Sequence, residues 1–188
     1  MTAFRTIGID ASLTNTGQCY VSKNGDGATV RQTIEVVPKG SLKAHSRLDF
    51  IDREVREFML TYPADLVVIE GYDYKGFSLV PLAEINGILQ LTAWRLCGNV
   101  IHAAPSQVKK FAVGKPQASK AQIMKHFGLD NEHIADARAL AEIGQVFLGA
   151  PSKRRCELEV AMQLRDGPKK KGLTSKRVGK SKPYLVSL

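Results

Sequence analysis

Four side chains in this sequence are of the type, and in the kind of place, that could perform metal-assisted chemistry on a phosphodiester: Asp10, Glu70, His133 and Asp136. Asp10 closes the apolar stretch that starts at Phe4, just where the chain enters a turn rich in Ser, Thr, Asn and Gly. Glu70 closes the unbroken run Leu66-Val67-Val68-Ile69. His133 and Asp136 stand three residues apart in the first turns of a helix, so they share one face. Carboxylates gain nothing from the ends of apolar strands. Grouping several of them out of water is costly unless a cation neutralises them. Hard oxygen donors suit Mg²⁺, with Mn²⁺ able to substitute. Two such ions ~4 Å apart can orient a water and stabilise the leaving oxygen of a phosphodiester. Taken singly, each residue has an ordinary explanation as a turn former, a helix-end imidazole or a helix-face charge. Three separate positions that one fold would bring together point to a site.

The elements that must position these groups can be read from periodicity. Phe4–Asp10 is expected as a first strand, Gln18–Lys23 as its return, and residues 28–37 as a third strand after the hairpin signal Asn24-Gly25-Asp26-Gly27. Apolar Ala44, Leu48, Ile51, Val55 and Phe58 recur at helical spacing through 44–60. The β-branched run to Glu70 reads as a strand buried on both faces. A helix follows over about 79–96, then a short strand at 99–103, a helical turn at 106–111, a short helix capped by Ser119, and a last long helix from about 132 to 148 capped by Asp130 or Asn131. Three antiparallel strands continued by alternating β and α units predict an α/β fold with a five-stranded mixed sheet and helices on both faces. If the first and fourth strands run parallel, Asp10 and Glu70 leave the same sheet edge, where open α/β sheets place their sites.

Bulk properties narrow the class. The 188 residues suit one domain over 1–150 followed by a basic extension over 151–188, partly helical or disordered. Residues 1–149 carry 16 Lys and Arg against 15 Asp and Glu, whereas the last 39 residues carry 11 against 3. That extension, with Lys169, Lys170 and Lys171 at its centre, is a counterion for a polyanion, of which nucleic acid is the usual one. Three scattered cysteines and no secretory leader favour a reducing, cytoplasmic setting. No stretch approaches the ~20 apolar residues of a membrane helix, so no membrane is expected.

The residues also resemble a known family, the RuvC Holliday-junction resolvases. Ile7-Gly8-Ile9-Asp10-Ala11-Ser12 through Gly17 resembles that family's opening strand and turn, and Val67-Val68-Ile69-Glu70 its second acidic motif. Pro105 to Lys110 and Ala118 to Ile123 are similar to its basic segment, and Ile134-Ala135-Asp136-Ala137-Arg138 to its closing motif. The resemblance covers residues 4 to about 148. It implies an RNase H-like fold and a structure-selective DNA endonuclease that nicks four-way junctions, and other branched DNA, symmetrically to leave 5′-phosphates. It also implies a metal site of Asp10, Glu70, His133 and Asp136 holding two ions, and a homodimer matching the twofold substrate. Lys109, Lys110 and Lys120 would meet the phosphates. Tyr72, Tyr74 or Phe77 would stack at the junction centre, although Asp73 occupies the place where an aromatic is expected. Many relatives end with a DxxD pair, and His133 stands at the first of those positions, as ligand or as proton acceptor. The basic extension exceeds what the bacterial enzymes usually carry and hints at a phage-type member, acting in the host cytoplasm. The apolar helix around Pro81–Leu96 is the candidate dimer face, with core as its other reading.

Three rivals remain. Actin-like ATPases and sugar kinases open similarly but need two such domains and a second phosphate loop, so no nucleotide cofactor is expected. An RNase H-like nuclease acting on structured RNA, and a non-catalytic DNA-binding module using the basic extension, are the others.

Overall fold

A computed structural model describes residues 4–23, 28–71 and 79–167 of the chain. Strands β1 (Phe4–Asp10), β2 (Thr16–Lys23), β3 (Thr29–Val36), β4 (Leu66–Glu70) and β5 (Val100–Ala103) form one sheet in the order β3-β2-β1-β4-β5. The first three pair antiparallel. β4 lies parallel to β1, with Ile9 opposite Ile69, and β5 lies parallel to β4. The expected mixed sheet is therefore present. The turn expected at Asn24–Gly27 lies outside the described residues.

Helices cover both faces. On one side, α1 (Ala44–Thr61) and α2 (Leu79–Cys97) cross the sheet. Ile51, Val55, Ile85 and Leu89 meet Ile7, Ile9, Val67 and Ile69 there. On the other lie α3 (Pro105–Val113), α4 (Lys120–Phe127), α5 (Glu132–Leu148) and α6 (Arg155–Asp166). Side chains alternate across a strand, so Thr6, Gly8 and Asp10 share the α5 side, as do Leu66, Val68 and Glu70.

Local chemistry explains the helix ends. Ser119 Oγ accepts the Gln122 N–H while Gln122 Oε1 accepts the Ser119 N–H, a reciprocal cap at α4. Asn131 caps α5, its Oδ1 accepting the Ile134 N–H at 3.0 Å. α3 runs nine residues, longer than the helical turn expected at 106–111, because Pro105 begins it. Proline suits a first helical position, where no N–H is required.

Helix α5 lies directly on the sheet because two strand residues lack side chains. A Cβ on Gly8 would fall 2.0 Å from the Ala137 carbonyl oxygen, and one on Gly17 would fall 2.2 Å from that of His133. Buried Gln145 ties the far end of α5 down, its Nε2 donating to the Phe4 and Val21 carbonyls. Helix α6 joins this layer through buried Val160 and Ala161. Arg154 locks it in place by donating to the carbonyls of Phe111 and Ala112 at the end of α3.

Candidate active site

The parallel register of β1 and β4 brings Asp10 and Glu70 out at the same edge, each one residue beyond the Ile9–Ile69 pair. Because α5 starts over that edge, its first two turns deliver His133 and Asp136 to the same spot. The four surround a cleft of about 290 Å³ whose other walls include Ser12, Leu82, Pro105, Lys109 and Lys120. Asp10 and Asp136 are each 7% exposed. Residues distant along the chain thus meet in one small, largely buried space.

Its electrostatics are those of too many anions for the cations present. Glu70 is held far above the ordinary carboxylate range, first by burial and then by the neighbouring charges of Asp10 and Asp136. Asp136 is pushed up to about 6 by burial and by Asp10, against an opposing pull from Lys120. His133 Nδ1 stands 2.8 Å from Asp10 Oδ2, and that hydrogen bond raises the imidazole above its usual value. Lys120 donates to Glu132 at 2.9 Å, and Glu132 also lies 3.6 Å from His133 Nε2. Partial burial works against the Lys120 charge, but Glu132 more than offsets it.

Of the lysines expected to meet phosphate, Lys109 and Lys120 line the cleft. Lys110 is not among its walls, being ion-paired at 2.9 Å with Glu159 of α6. Tyr72, Tyr74, Phe77, Lys169, Lys170 and Lys171 lie outside the described residues. Two participants escaped the sequence: Ser12, whose place in the turn after Asp10 was its signal, and Glu132, next to His133 at the first position of α5. A larger cavity of about 760 Å³ between β5, α3 and α6 holds no such cluster of carboxylates among the described residues; His102, Glu159 and Met162 are among its walls.

The donor set fits a hard divalent cation. Three carboxylates and an imidazole face one cleft, and the raised Glu70 and Asp136 mark charge awaiting neutralisation. Among the described residues no three or more His, Cys, Asp or Glu side chains are arranged, as they stand, to hold a metal ion. Asp10 is instead engaged with His133, a bond that ligation would exchange for a cation.

Comparison with known proteins gives a consistent picture. The sequence profile of the family described as "Crossover junction endodeoxyribonuclease RuvC" matches residues 6–141. The protein of that name from Azorhizobium caulinodans is 27% identical over 163 residues, covering 82% of this chain and 96% of its own length. The solved RuvC of Thermus thermophilus superposes with a TM-score of 0.60 at 24% identity, covering 78% of this chain and 98% of that one. The same protein in complex with a Holliday-junction substrate gives 0.61 at 23%, covering 73% and 90%. These two structures share the fold.

Proposed function

The chain belongs to the RuvC family of crossover junction endodeoxyribonucleases, with the family's RNase H-like sheet, and from that premise we propose how this Holliday-junction-resolving endonuclease cuts. Asp10, Glu70 and Asp136 hold divalent cations, Mg²⁺ with Mn²⁺ as substitute, two per site, and His133 serves as a further ligand or as proton acceptor. Bound there, the ions supply Lewis acidity at the attacked phosphate and at the leaving oxygen. Lys109 and Lys120 fix the phosphate backbone of the DNA and offset its charge. Water attacks phosphorus in line, the P–O3′ bond breaks, and the products carry a 5′-phosphate and a 3′-hydroxyl. Glu132 keeps Lys120 at the rim until phosphate replaces it.

One observation carries this proposal: strand ends and a helix start, up to 126 residues apart in numbering, put Asp10, Glu70, His133 and Asp136 round one cleft beside two lysines. A four-way junction offers two equivalent strands, so a twofold homodimer completes the proposal. Helix α2 supplies a face for it, since Val80, Leu91 and Trp94 are exposed while Ile85, Leu89 and Ala93 are buried beneath. The lysines of the C-terminal extension add non-specific attraction to DNA. A cytoplasmic location accords with three free cysteines, and no helix among the described residues is long and apolar enough to cross a membrane.

The test is a synthetic four-way junction with and without Mg²⁺, cut by the wild type and by Asp10→Asn. Wild type should give paired, symmetric nicks only with the metal. Asp10→Asn should lose about 10²–10³-fold in cleavage, the scale of a lost catalytic electrostatic contribution, while still shifting the junction on a gel. Retained cleavage by Asp10→Asn would remove the mechanism. Preferential cutting of structured RNA would favour the RNA nuclease, and binding without any metal-dependent turnover the non-catalytic module.

A further inference from the structure

Along most of edge strand β3 the residues are exposed, but Glu35 near its end is turned inward. Its two carboxylate oxygens have separate partners. Oε1 accepts from Asn15 Nδ2 at 2.9 Å, and Oε2 accepts from Asn131 Nδ2 at 2.8 Å. Asn15 belongs to the turn that follows Asp10. Asn131 is the N-cap of α5, and its other amide atom, Oδ1, is the one that caps Ile134 N–H. A carboxylate only accepts, so it fixes the orientation of that carboxamide: nitrogen to Glu35, oxygen to the helix.

The sheet register gives this contact its meaning. Asp10 pairs with Gly17, and Gly17 pairs with Glu35, so the three form one row across β1, β2 and β3, on one face. The start of α5 crosses that row. His133 reaches Asp10 at one end, the His133 carbonyl rests on bare Gly17 in the middle, and Asn131 is gripped by Glu35 at the other end. We infer that Glu35 is a positioning residue for strand cleavage, clamping the cap of α5 to the turn after Asp10 so that His133 and Asp136 stand in register with Asp10 for metal binding. The role deepens the metal-nuclease proposal above and rests on it. Glu35 itself is not among the walls of the cleft and acts through Asn15 and Asn131.

The contact can be cut and rebuilt without losing the cap. In Asn131→Asp an oxygen still accepts from Ile134 N–H, but a carboxylate now opposes Glu35. In Glu35→Gln one arm of the clamp loses its acceptor. In the double variant the carboxamide introduced at position 35 donates to the carboxylate introduced at position 131 and still accepts from Asn15, so both arms return. Three quantities are measured on the full chain: Mn²⁺ affinity by calorimetry without DNA, the Mg²⁺ concentration for half-maximal junction cleavage, and junction affinity without metal. Each single variant should weaken Mn²⁺ binding and raise the Mg²⁺ requirement about 10-fold or more, the effect usual for groups that orient metal ligands. Metal-free junction affinity should stay within about twofold, since the phosphate-binding lysines are untouched. The double variant should regain most of the loss. Single variants that bind Mn²⁺ like wild type, or a double variant no better than the worse single, overturn the clamp. A wild type that neither binds Mn²⁺ nor cuts the junction overturns the metal-nuclease proposal instead.

Discussion

Asp136 sits where an anion is poorly tolerated until a cation arrives, and that has a measurable consequence for stability. Its carboxyl, ordinarily near 3.8, is raised to about 6 by burial and by Asp10. As pH climbs through that window the unfolded chain releases the proton while the folded chain keeps it, so stability falls, and above the window the whole cost stands. That cost is roughly 3 kcal/mol. His133 acts in the same direction: its hydrogen bond to Asp10 raises it, so its contribution is full below its ordinary 6.5 and fades as pH rises through the folded value. Asp136→Asn should therefore melt several degrees above wild type in metal-free buffer at pH 8, at ~2–4 °C per kcal/mol for a chain of this size. The gap should shrink at pH 5 and again when Mg²⁺ stabilises only the wild type. Melting curves at both pH values, with and without the ion, check this; an equal gap at pH 5 and 8 would count against it. The acidic residues were legible in the sequence because a carboxylate closing an apolar strand is out of place there. Glu132 and Glu35 were not. Each looks like a common surface charge, and the clamp from Glu35 to Asn131 spans 96 residues that only the finished sheet brings together.

Among the elements, those whose apolar period matched their burial were readable almost to the residue, as with α1 over 44–61 and β4 over 66–70. α3 was read too short because Pro105 looked like the end of a strand as much as the start of a helix. The seat of α6 on α3 was hidden for another reason. It depends on Arg154 reaching backbone carbonyls of Phe111 and Ala112, which carry no side-chain signal. Equally invisible was the work of Gly8 and Gly17, which read as ordinary strand and turn glycines. Their substitutions should separate two functions of one helix. In Gly17→Ala the new methyl meets the His133 carbonyl at the first turn of α5, so the helix start must lift away from Asp10. A displacement near 1 Å at a reacting centre costs about 10²-fold in rate, and kcat for junction cleavage should fall on that scale, together with some loss of melting temperature because the contact is with backbone. In Gly8→Ala the clash lies against Ala137 and Ala141, in the middle of the packed helix. There the loss should be chiefly of stability, beyond the ~1–3 kcal/mol of ordinary overpacking, because backbone must move. Circular dichroism melts beside single-turnover cleavage distinguish the two. Equal effects of both substitutions on rate would argue that α5 moves as one rigid body.

For the molecule as a whole, the proposed homodimer raises the question of how one small cleft per chain makes two matched cuts. The largely apolar sequence of α2 left open whether the helix was core or interface; one side of it is core, and the other is the face proposed for the homodimer. Ile85, Leu89 and Ala93 face the sheet, while Val80 (68% exposed), Leu91 (44%) and Trp94 (50%) form a row on the outer side. Gly87 lies between them in sequence, with open space around its Cα, so a second helix could approach closely. Apolar rows of this kind mark association surfaces, and a twofold contact through α2 lets the same patch serve both partners. Replacing Trp94 by Glu puts a charge into that row and leaves the buried side of α2 intact. Sedimentation should then show a monomer at concentrations where the wild type is a dimer. Cleavage chemistry should survive, because Asp10, Glu70, His133 and Asp136 are brought together within one chain. The product should change, however. Two coupled active sites cut both strands before the junction departs, giving paired duplexes, whereas isolated monomers release a junction nicked on one strand. Denaturing and native gels of the same reaction tell these apart. A Trp94→Glu protein that remains dimeric, or a monomer that still yields paired duplexes in one encounter, would place the coupling of the two cuts elsewhere than on α2.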